Sequence, residues 1–284
     1  MNTIESTGLH PGLLEPLARL TRDEANAAIT LTPHEARFLV DTYYQMQENR
    51  IRAQGQLRSM ARSDEPHDTL LWLETQNTLL EKQIARALDK YSASMALGQW
   101  ARSIVGIGPI ISAGLLAHID LAKCETAGAI WKFAGLAPGV KWGKGEKRPW
   151  NARLKTLCWK IGESFVKSQG NAESQYGPVY VSRKALEIER NEQGAFAAQA
   201  EQVLAEKRIG KATPTYASYA AGKLPPAHIH ARARRYAVKL FLAHYFEVGY
   251  FLLHNRKAPN PYALTHLEHV HYVEPPNTEL VPGW

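Results

Sequence analysis

The amino-acid sequence predicts an all-α, mostly helical protein, in which a long antiparallel helical hairpin precedes a globular domain containing a helix-hairpin-helix. Apolar residues recur at helical spacing in two long stretches, residues 34–97 and 228–255. Turn-forming residues interrupt the helical pattern at 63–66 and 210–226, which indicates connections between helices. The third observation is a Gly-Ile-Gly-Pro sequence at 106–109, which lies between two apolar segments as a helix-hairpin-helix turn would.

The hairpin begins with a strong helix-start signal. Thr32 is placed to cap the helix, Pro33 suits its first turn, and Glu35 completes a capping box. A second helix is predicted from about Asp68 to Leu97, with apolar residues near a heptad seam. These residues are Leu70, Leu73, Leu80, Ile84, Leu88, Tyr91 and Met95. The hairpin is either a coiled coil that makes a homodimer or a plain two-helix packing unit. We favour the homodimer, because both helices carry many charged residues and have few apolar residues to form a core.

The chain is expected to divide into four parts. Residues 1–31 form a loosely structured lead-in, residues 32–99 the helical arm, residues 100–257 a nucleic-acid-binding domain and residues 258–284 an extended tail. The tail has five prolines and no Lys or Arg, so we expect it to lie over the surface.

Several protein classes are not expected from this composition. No segment of about 18 apolar residues occurs without a charge, so a membrane-spanning helix is not predicted. The two cysteines, Cys124 and Cys158, lack metal-ligand spacing, and a disulfide scaffold is not expected in so long a chain. We therefore expect a protein of a reducing compartment, cytoplasmic and associated with the nucleoid.

Positive charge is concentrated in the middle of the chain, whose formal net charge is +7. Residues 1–99 hold 10 Lys/Arg against 13 Asp/Glu, residues 100–260 hold 24 against 11, and residues 261–284 hold none against three. A concentrated positive field suits a polyanion, because each neutralised phosphate releases counterions. The alternative is a basic surface that is merely solvated.

The sharpest local signal is the turn at Gly106-Ile107-Gly108. The two glycines permit a tight turn and close approach of the backbone. Ile107 would fill the gap between the two helices, and Pro109 suits the first turn of the second. Backbone amides there, up to Ile110, are predicted to hold a phosphate with the help of the helix dipole. The alternative is an ordinary packing corner.

A basic stretch from Gly139 to Lys155 carries six Lys/Arg against one acid, with two tryptophans between them. Cations interleaved with aromatic rings suit contact with phosphates together with stacking on bases or sugars. The alternative is a solvated loop with Trp150 in the core. The candidate contact residues are Lys141, Trp142, Lys144, Lys147, Arg148, Arg153 and Lys155.

A third group of candidates lies on the predicted helix that begins near His228. Arg232, Arg235 and Lys239 are expected to share one face of this helix. That face is either a second row of phosphate contacts or a simple solvent face, and the sequence does not distinguish the two.

No catalytic residue, cofactor or metal site is predicted. The spacing of His266, His269 and His271 could hold a metal only if the fold gathered the three rings, and ordinary surface or packing histidines are the preferred interpretation. Carboxylates in the basic region are scattered, whereas a two-metal nuclease needs a cluster.

From about Trp100 to Pro261, the order of motifs resembles the C-terminal half of the bridge-RNA-guided insertion-sequence transposases. The matching segments are Ile107–Pro109, Phe133–Pro138, the basic stretch through Arg153-Leu154, Tyr180 before Arg183-Lys184, and Ala233–Leu240. The resemblance implies an N-terminal RuvC-like domain with a DEDD acidic set, a coiled-coil arm matching 34–97, and a C-terminal transposase domain with a serine nucleophile.

The chain departs from this family in two places. About 30 residues precede the arm, so the RuvC-like domain is expected to be missing. The family's serine follows the Gly-Leu-Ala-Pro motif, but Trp142-Gly143 stands there, and no Ser or Tyr occurs from Ala113 to Glu163. The hydroxyls and thiols that remain in this span belong to Thr126, Thr156, Cys124 and Cys158.

The sequence therefore favours a non-catalytic, transposase-derived protein that binds double-stranded DNA, with structured RNA as a second candidate. An active transposase or recombinase with a displaced nucleophile is the first alternative. The other is an RNA-binding or scaffold protein that acts through the helical arm.

Overall fold

The structure, a computed structural model, describes residues 19–61, 67–140, 142–143, 145–259 and 272–284. These residues form eleven α-helices and no β-strand, which confirms the predicted all-α class. The chain divides between Tyr91 and Ser92 into two compact units. A search of the described helices finds none with the length and apolar character needed to cross a bilayer.

The first unit contains α1 (Arg22–Ala27), α2 (Pro33–Met60) and all but the last two residues of α3 (Asp68–Ala93). The start of α2 is the predicted one. Thr32 Oγ1 accepts a hydrogen bond from the Glu35 amide at 3.3 Å, and Glu35 Oε2 accepts one from the Thr32 amide at 2.7 Å. Helix α3 also begins where predicted, but it ends four residues before Leu97.

Side-chain contacts show that α2 and α3 run antiparallel, as expected. Arg50 Nε donates to Glu81 Oε2 at 2.5 Å, and Gln54 Nε2 donates to Glu74 Oε1 at 2.8 Å, so the partner number falls as the number on α2 rises. The apolar core of this arm lies toward the start of α2 and the end of α3, at Ala36, Val40, Ala87 and Leu88.

The lead-in, predicted to be loosely structured, contains the short helix α1. Thr21 and Glu24 form a capping box at the start of α1, and Ala25 is fully buried. The Leu20 amide also donates to Gln83 Oε1 at 3.1 Å, which ties the lead-in to α3. Residues 1–18 lie outside the described residues.

The second unit is built around one long helix, α11, which packs against α4, α6, α7 and α8. Its aromatic centre is Phe241, whose ring centre lies 5.4 Å from that of Tyr176 and 5.6 Å from that of Phe165. The eight helices are α4 (Ala96–Arg102), α5 (Pro109–His118), α6 (Ala127–Phe133), α7 (Ala152–Lys167), α8 (Gly177–Glu192), α9 (Ala197–Glu206), α10 (Pro214–Ala220) and α11 (Pro226–His254).

Helix α10 lies in the segment 210–226 that was predicted to be a loop, so that prediction is wrong. Pro214 occupies the first turn of α10, where a missing amide hydrogen costs nothing. Thr213 caps the helix by accepting from the Tyr216 amide at 3.2 Å. Tyr219 packs with Phe196 of the α8–α9 connection in a small apolar cluster.

The described end of the tail, residues 272–284, is anchored by hydrogen bonds. Trp100 Nε1 donates to the Pro276 carbonyl at 2.8 Å, and Asn277 Nδ2 donates to the Ser103 carbonyl at 3.1 Å. His244 Nε2 lies 2.9 Å from the Val273 carbonyl. The tail therefore helps to hold α4 and α11 together.

Candidate nucleic-acid interface

The predicted glycine corner joins α4 to α5 through residues 103–108. Gly106 has φ +95°, and a Cβ there would lie 2.8 Å from Ser164 Oγ. Ile107 is 3 % exposed, so its side chain fills the space beneath the turn. Gly108 is exposed and is the N-cap residue of α5, and its carbonyl accepts a hydrogen bond from the Ser112 amide at 3.0 Å. The Ile110 amide lies in the first turn, where amides lack an intrahelical acceptor.

Besides the bond from Asn277 to Ser103, two hydrogen bonds hold the later residues of this corner against the rest of the unit. Ser164 Oγ donates to the Gly106 carbonyl at 2.6 Å, and the Val105 amide donates to Gln175 Oε1 at 3.1 Å. The backbone is thus fixed from its inner side, and Gly108 remains on the outer side.

The second glycine turn, Gly135 to Pro138, ends a helix and does not directly join two helices. The Leu136 amide donates to the Trp131 carbonyl at 2.8 Å and the Gly135 amide donates to Lys132 at 3.1 Å, which is a Schellman cap at the end of α6. Gly135 has φ +67°, and Trp150 packs directly on it. The basic stretch therefore follows directly after this turn.

The basic stretch presents two tryptophans, each with a cation on its ring. The Trp142 and Trp150 rings meet edge to face at 6.3 Å between centres. Arg148 lies over Trp142, with its guanidinium carbon 4.8 Å from the ring centre, and Lys155 Nζ lies 4.2 Å from that of Trp150. Trp150 is only partly buried, so the stretch presents aromatic surface beside its charges.

The remaining candidates of this stretch fall into two groups. Lys147 and Arg153 are exposed and lie three residues before and three residues after Trp150. Lys141 and Lys144 lie outside the described residues.

The three candidates on α11 occupy different environments. Arg232 Nε donates to Glu187 Oε2 at 2.8 Å, and its Nη1 donates to Gln199, so this residue holds α8 and α9 against α11. Arg235 is exposed, and Lys239 Nζ lies 4.1 Å from the ring centre of Trp131 on α6. The structure thus brings Arg235 and Lys239 toward α6 and α7, and turns Arg232 toward α8.

A groove of about 290 Å³ between α7 and α11 brings Lys155 of the basic stretch together with Arg235. Its lining is completed by Leu136, Cys158, Trp159, Ala231, Arg234 and Val238. Neither Trp159 nor Arg234 is among the site residues predicted from the sequence. The signal available was the four-residue spacing of Lys155 and Trp159, which places both on one face of a helix.

Positive charges in and beside the groove act on one another. Although the Arg235 side chain is exposed overall, partial desolvation by the surrounding protein and the charges of Arg232 and Arg234 lower its pKa. Burial and the charge of Arg235 lower the pKa of Lys239. The described lining contains no carboxylate, and the Glu163 side chain that pairs with Arg234 lies outside it. An anion entering the groove would relieve this repulsion.

The remaining hydroxyls and thiols of the expected nucleophile region have structural roles. Thr126 caps α6 with its side chain, and the Thr156 hydroxyl donates to the backbone of α7. Burial raises the pKa of the Cys158 thiol to about 12, and burial together with Asp120 raises that of Cys124, so both thiolates are disfavoured.

The described residues hold no group of three or more His, Cys, Asp or Glu side chains that could bind a metal ion. The spaced histidines His266, His269 and His271 lie outside the described residues.

The comparison with known proteins gives one family match. Neither the curated proteins nor the solved structures include a significant match to the chain. Residues 98–169, from within α4 to just past α7, match the family model described as the Transposase IS116/IS110/IS902 family. This segment contains both glycine turns, the basic stretch and Trp159, while α11 lies beyond it. About a quarter of the chain is therefore transposase-like.

Proposed function

We propose that this chain is a transposase-derived protein that binds nucleic acid through its phosphate backbone and has no strand-transfer chemistry of its own. Double-stranded DNA is the leading partner and structured RNA the second. The observation that carries the proposal is the groove between α7 and α11, in which Lys155 and Arg235 converge beside exposed aromatic surface. The family match of the same region supports the link to transposases.

Two further features support phosphate contact. Gly108 presents the start of α5 on the outer side of the glycine corner, where first-turn amides and the helix dipole favour an anion. Arg148, Lys147 and Arg153 extend the positive surface along the basic stretch. Such contacts position a duplex without reading its sequence, so binding is expected to depend little on base order.

Binding measured against salt concentration tests this function. Duplex affinity should fall steeply with salt, because each phosphate contact releases counterions. The double variant Lys155→Gln with Arg235→Gln should lower the slope of log K against log salt by about two, since each lost phosphate contact removes about one. The matched control is Arg52→Gln with Lys90→Gln, which removes the same charges from exposed positions on α2 and α3.

Three outcomes would contradict the proposal. Absence of binding to duplex DNA and to folded RNA at low salt would reject nucleic-acid binding. Equal loss of slope in the groove variant and the control would reject the groove as the contact surface. Cleavage of a supercoiled plasmid that disappears on substitution of a single Thr, Cys or Ser would reject the absence of chemistry.

The arm is proposed to join two copies of the chain. Phe38 on α2 is 66 % exposed, Ile51 is 54 % exposed, and Leu73 on α3 is 45 % exposed. A second arm packed along the hairpin would bury some of these apolar side chains, and a dimer would double the number of phosphate contacts for one nucleic acid.

A further inference from the structure

The groove between α7 and α11 has an apolar side that phosphate contact alone does not need. Leu136, Cys158 and Val238 line it together with the ring of Trp159. Trp159 is 52 % exposed although it lies on a helix whose other large side chains are mostly in the core. An exposed tryptophan beside cations is a stacking surface for a planar, electron-rich group.

Arg234 on α11 lies next to the Trp159 ring. The Arg234 guanidinium carbon lies 5.5 Å from the ring centre, and Arg234 is itself held by an ion pair with Glu163. Gly162, one turn further along α7, lets the Arg234 side chain pass, because a Cβ there would lie 2.5 Å from Arg234 Cγ. Arg234 therefore lies beside the Trp159 ring and is itself held in place by Glu163.

Lys155 connects this surface with a second ring. Its side chain lines the groove, and its Nζ lies 4.2 Å from the ring centre of Trp150. Lys155 therefore contacts the Trp150 ring and also lines the groove in which Trp159 lies. A cation beside an exposed ring suits the phosphate of a nucleotide whose base is stacked on that ring.

We infer that this groove takes an unpaired nucleotide, with its base stacked on Trp159 and its phosphate near Lys155 and Arg235. The inference rests on the proposed function and specifies its substrate. In a duplex the faces of the bases are stacked inside, and a protein meets phosphates and base edges. Unpaired bases can turn outward and stack on aromatic side chains. A groove of about 290 Å³ is close to the lower end of small-ligand sites, about 300 Å³, which suits a single nucleotide.

The test compares Trp159→Leu with Trp72→Leu, the matched control on α3, where Trp72 is 44 % exposed. The probes are a short oligothymidylate, the same strand paired as a duplex, and an equal-length strand of abasic sites. The readout is the ratio of single-strand to duplex affinity. A change in folding or dimerisation would alter both affinities, whereas loss of base stacking lowers only the single-strand affinity. Trp159→Leu should lower oligothymidylate affinity about tenfold, the loss expected for one stacked base, and leave the duplex and the salt slope unchanged. Trp72→Leu should leave the ratio unchanged.

The abasic strand gives an independent measurement without a variant. It should bind the wild-type protein about as weakly as oligothymidylate binds Trp159→Leu, and it should be insensitive to that substitution. The same comparison with oligouridylate tells whether the preferred strand is DNA or RNA, and a selective loss with either polymer supports the inference. An unchanged affinity ratio in Trp159→Leu, with wild-type binding intact, would overturn this inference alone. A wild-type protein that binds no nucleic acid would overturn the proposed function itself.

Discussion

The Ser164 hydroxyl donates a 2.6 Å hydrogen bond to the carbonyl of Gly106, 58 residues earlier in the chain. The same hydroxyl would lie 2.8 Å from a Cβ at Gly106, which has φ +95°. One side chain on α7 therefore both anchors the glycine corner and excludes a larger residue from it. The corner and α7 behave as one structural unit within the transposase-like segment.

Gly106→Ala is expected to destabilise the protein by about 1–3 kcal/mol, because it combines a strained backbone with a steric conflict. Gly108→Ala is the matched control, since a Cβ there meets no described atom within 4 Å and its φ is −85°. Urea unfolding of the two variants measures the difference. Equal stability losses would mean that the turn does not require the left-handed conformation at Gly106.

The two parts of the Gly106 penalty can be separated with Ser164→Ala. That variant loses a hydrogen bond, which costs about 1 kcal/mol, and also removes the atom nearest to the added methyl group. The stability loss of the double variant should therefore be smaller than the sum of the losses of the two single variants. Strict additivity would contradict the close approach of Ser164 to Gly106.

Arg232 and Arg235 both lie on α11, but loss of Arg232 is expected to lower stability and loss of Arg235 to weaken DNA binding. Arg232 and Arg183 bind Glu187, which is 1 % exposed. Burial raises the pKa of Glu187, but the bonds and charges of these two arginines outweigh it and lower the pKa below its usual value. Arg232→Gln should cost about 1–3 kcal/mol of stability and leave the salt slope of DNA binding unchanged.

Arg235→Gln should do the reverse, with little change in unfolding free energy and a salt slope lower by about one. Chemical unfolding and binding titrations on both variants check the pair. If Arg232→Gln lowered the slope as much as Arg235→Gln, the ion pair with Glu187 would not keep Arg232 from the nucleic acid.

His244 should make stability depend on pH between about 6.5 and 4. Its Nδ1 lies 2.6 Å from the Tyr176 hydroxyl, and burial lowers its pKa to about 4. The folded state therefore keeps His244 neutral where the unfolded chain already binds a proton. The free energy of unfolding should fall as the pH falls through this window, by ~3 kcal/mol in all.

The measurement is the difference between the wild-type protein and His244→Asn at each pH, because other groups titrate in the same range. Glu247, which accepts from Tyr272, is another buried titratable group of α11, and burial raises its pKa. The variant should lose the His244 contribution to the slope. Parallel stability curves for the two proteins would show that His244 is not the group responsible.

The fold could be predicted wherever a local pattern determines an element. Thr32 and Glu35 marked the start of α2 because a capping box is made within four residues. Thr21 and Glu24 form the same motif at α1, although residues 1–31 are predicted to be a loose lead-in. The prolines of residues 210–226 predict a connection between helices, but in the first turn of α10 the fixed φ of Pro214 is favourable.

The site was harder to predict because tertiary packing assembles it. Lys155 and Arg235 are 80 positions apart, and only the packing of α7 against α11 brings them into one groove. The role of Arg232 depends on Glu187, 45 residues away on α8, which no spacing on α11 reveals. Local spacing therefore predicts which helix faces are basic. Contacts with residues on other helices decide which of these cations remain exposed.

Leu73→Glu tests the proposed dimer through the arm. Leu73 is 45 % exposed, so the monomer should tolerate the change, but a carboxylate buried in an apolar seam between two arms would cost several kcal/mol. Light scattering should give twice the chain mass of 31.7 kDa for the wild-type protein and the single mass for Leu73→Glu. Thr75→Glu, an exposed position on the same helix with the same added charge, should stay dimeric. A wild-type protein that is monomeric at every concentration would refute the dimer. Equal dissociation of both variants would point to charge rather than to the apolar seam.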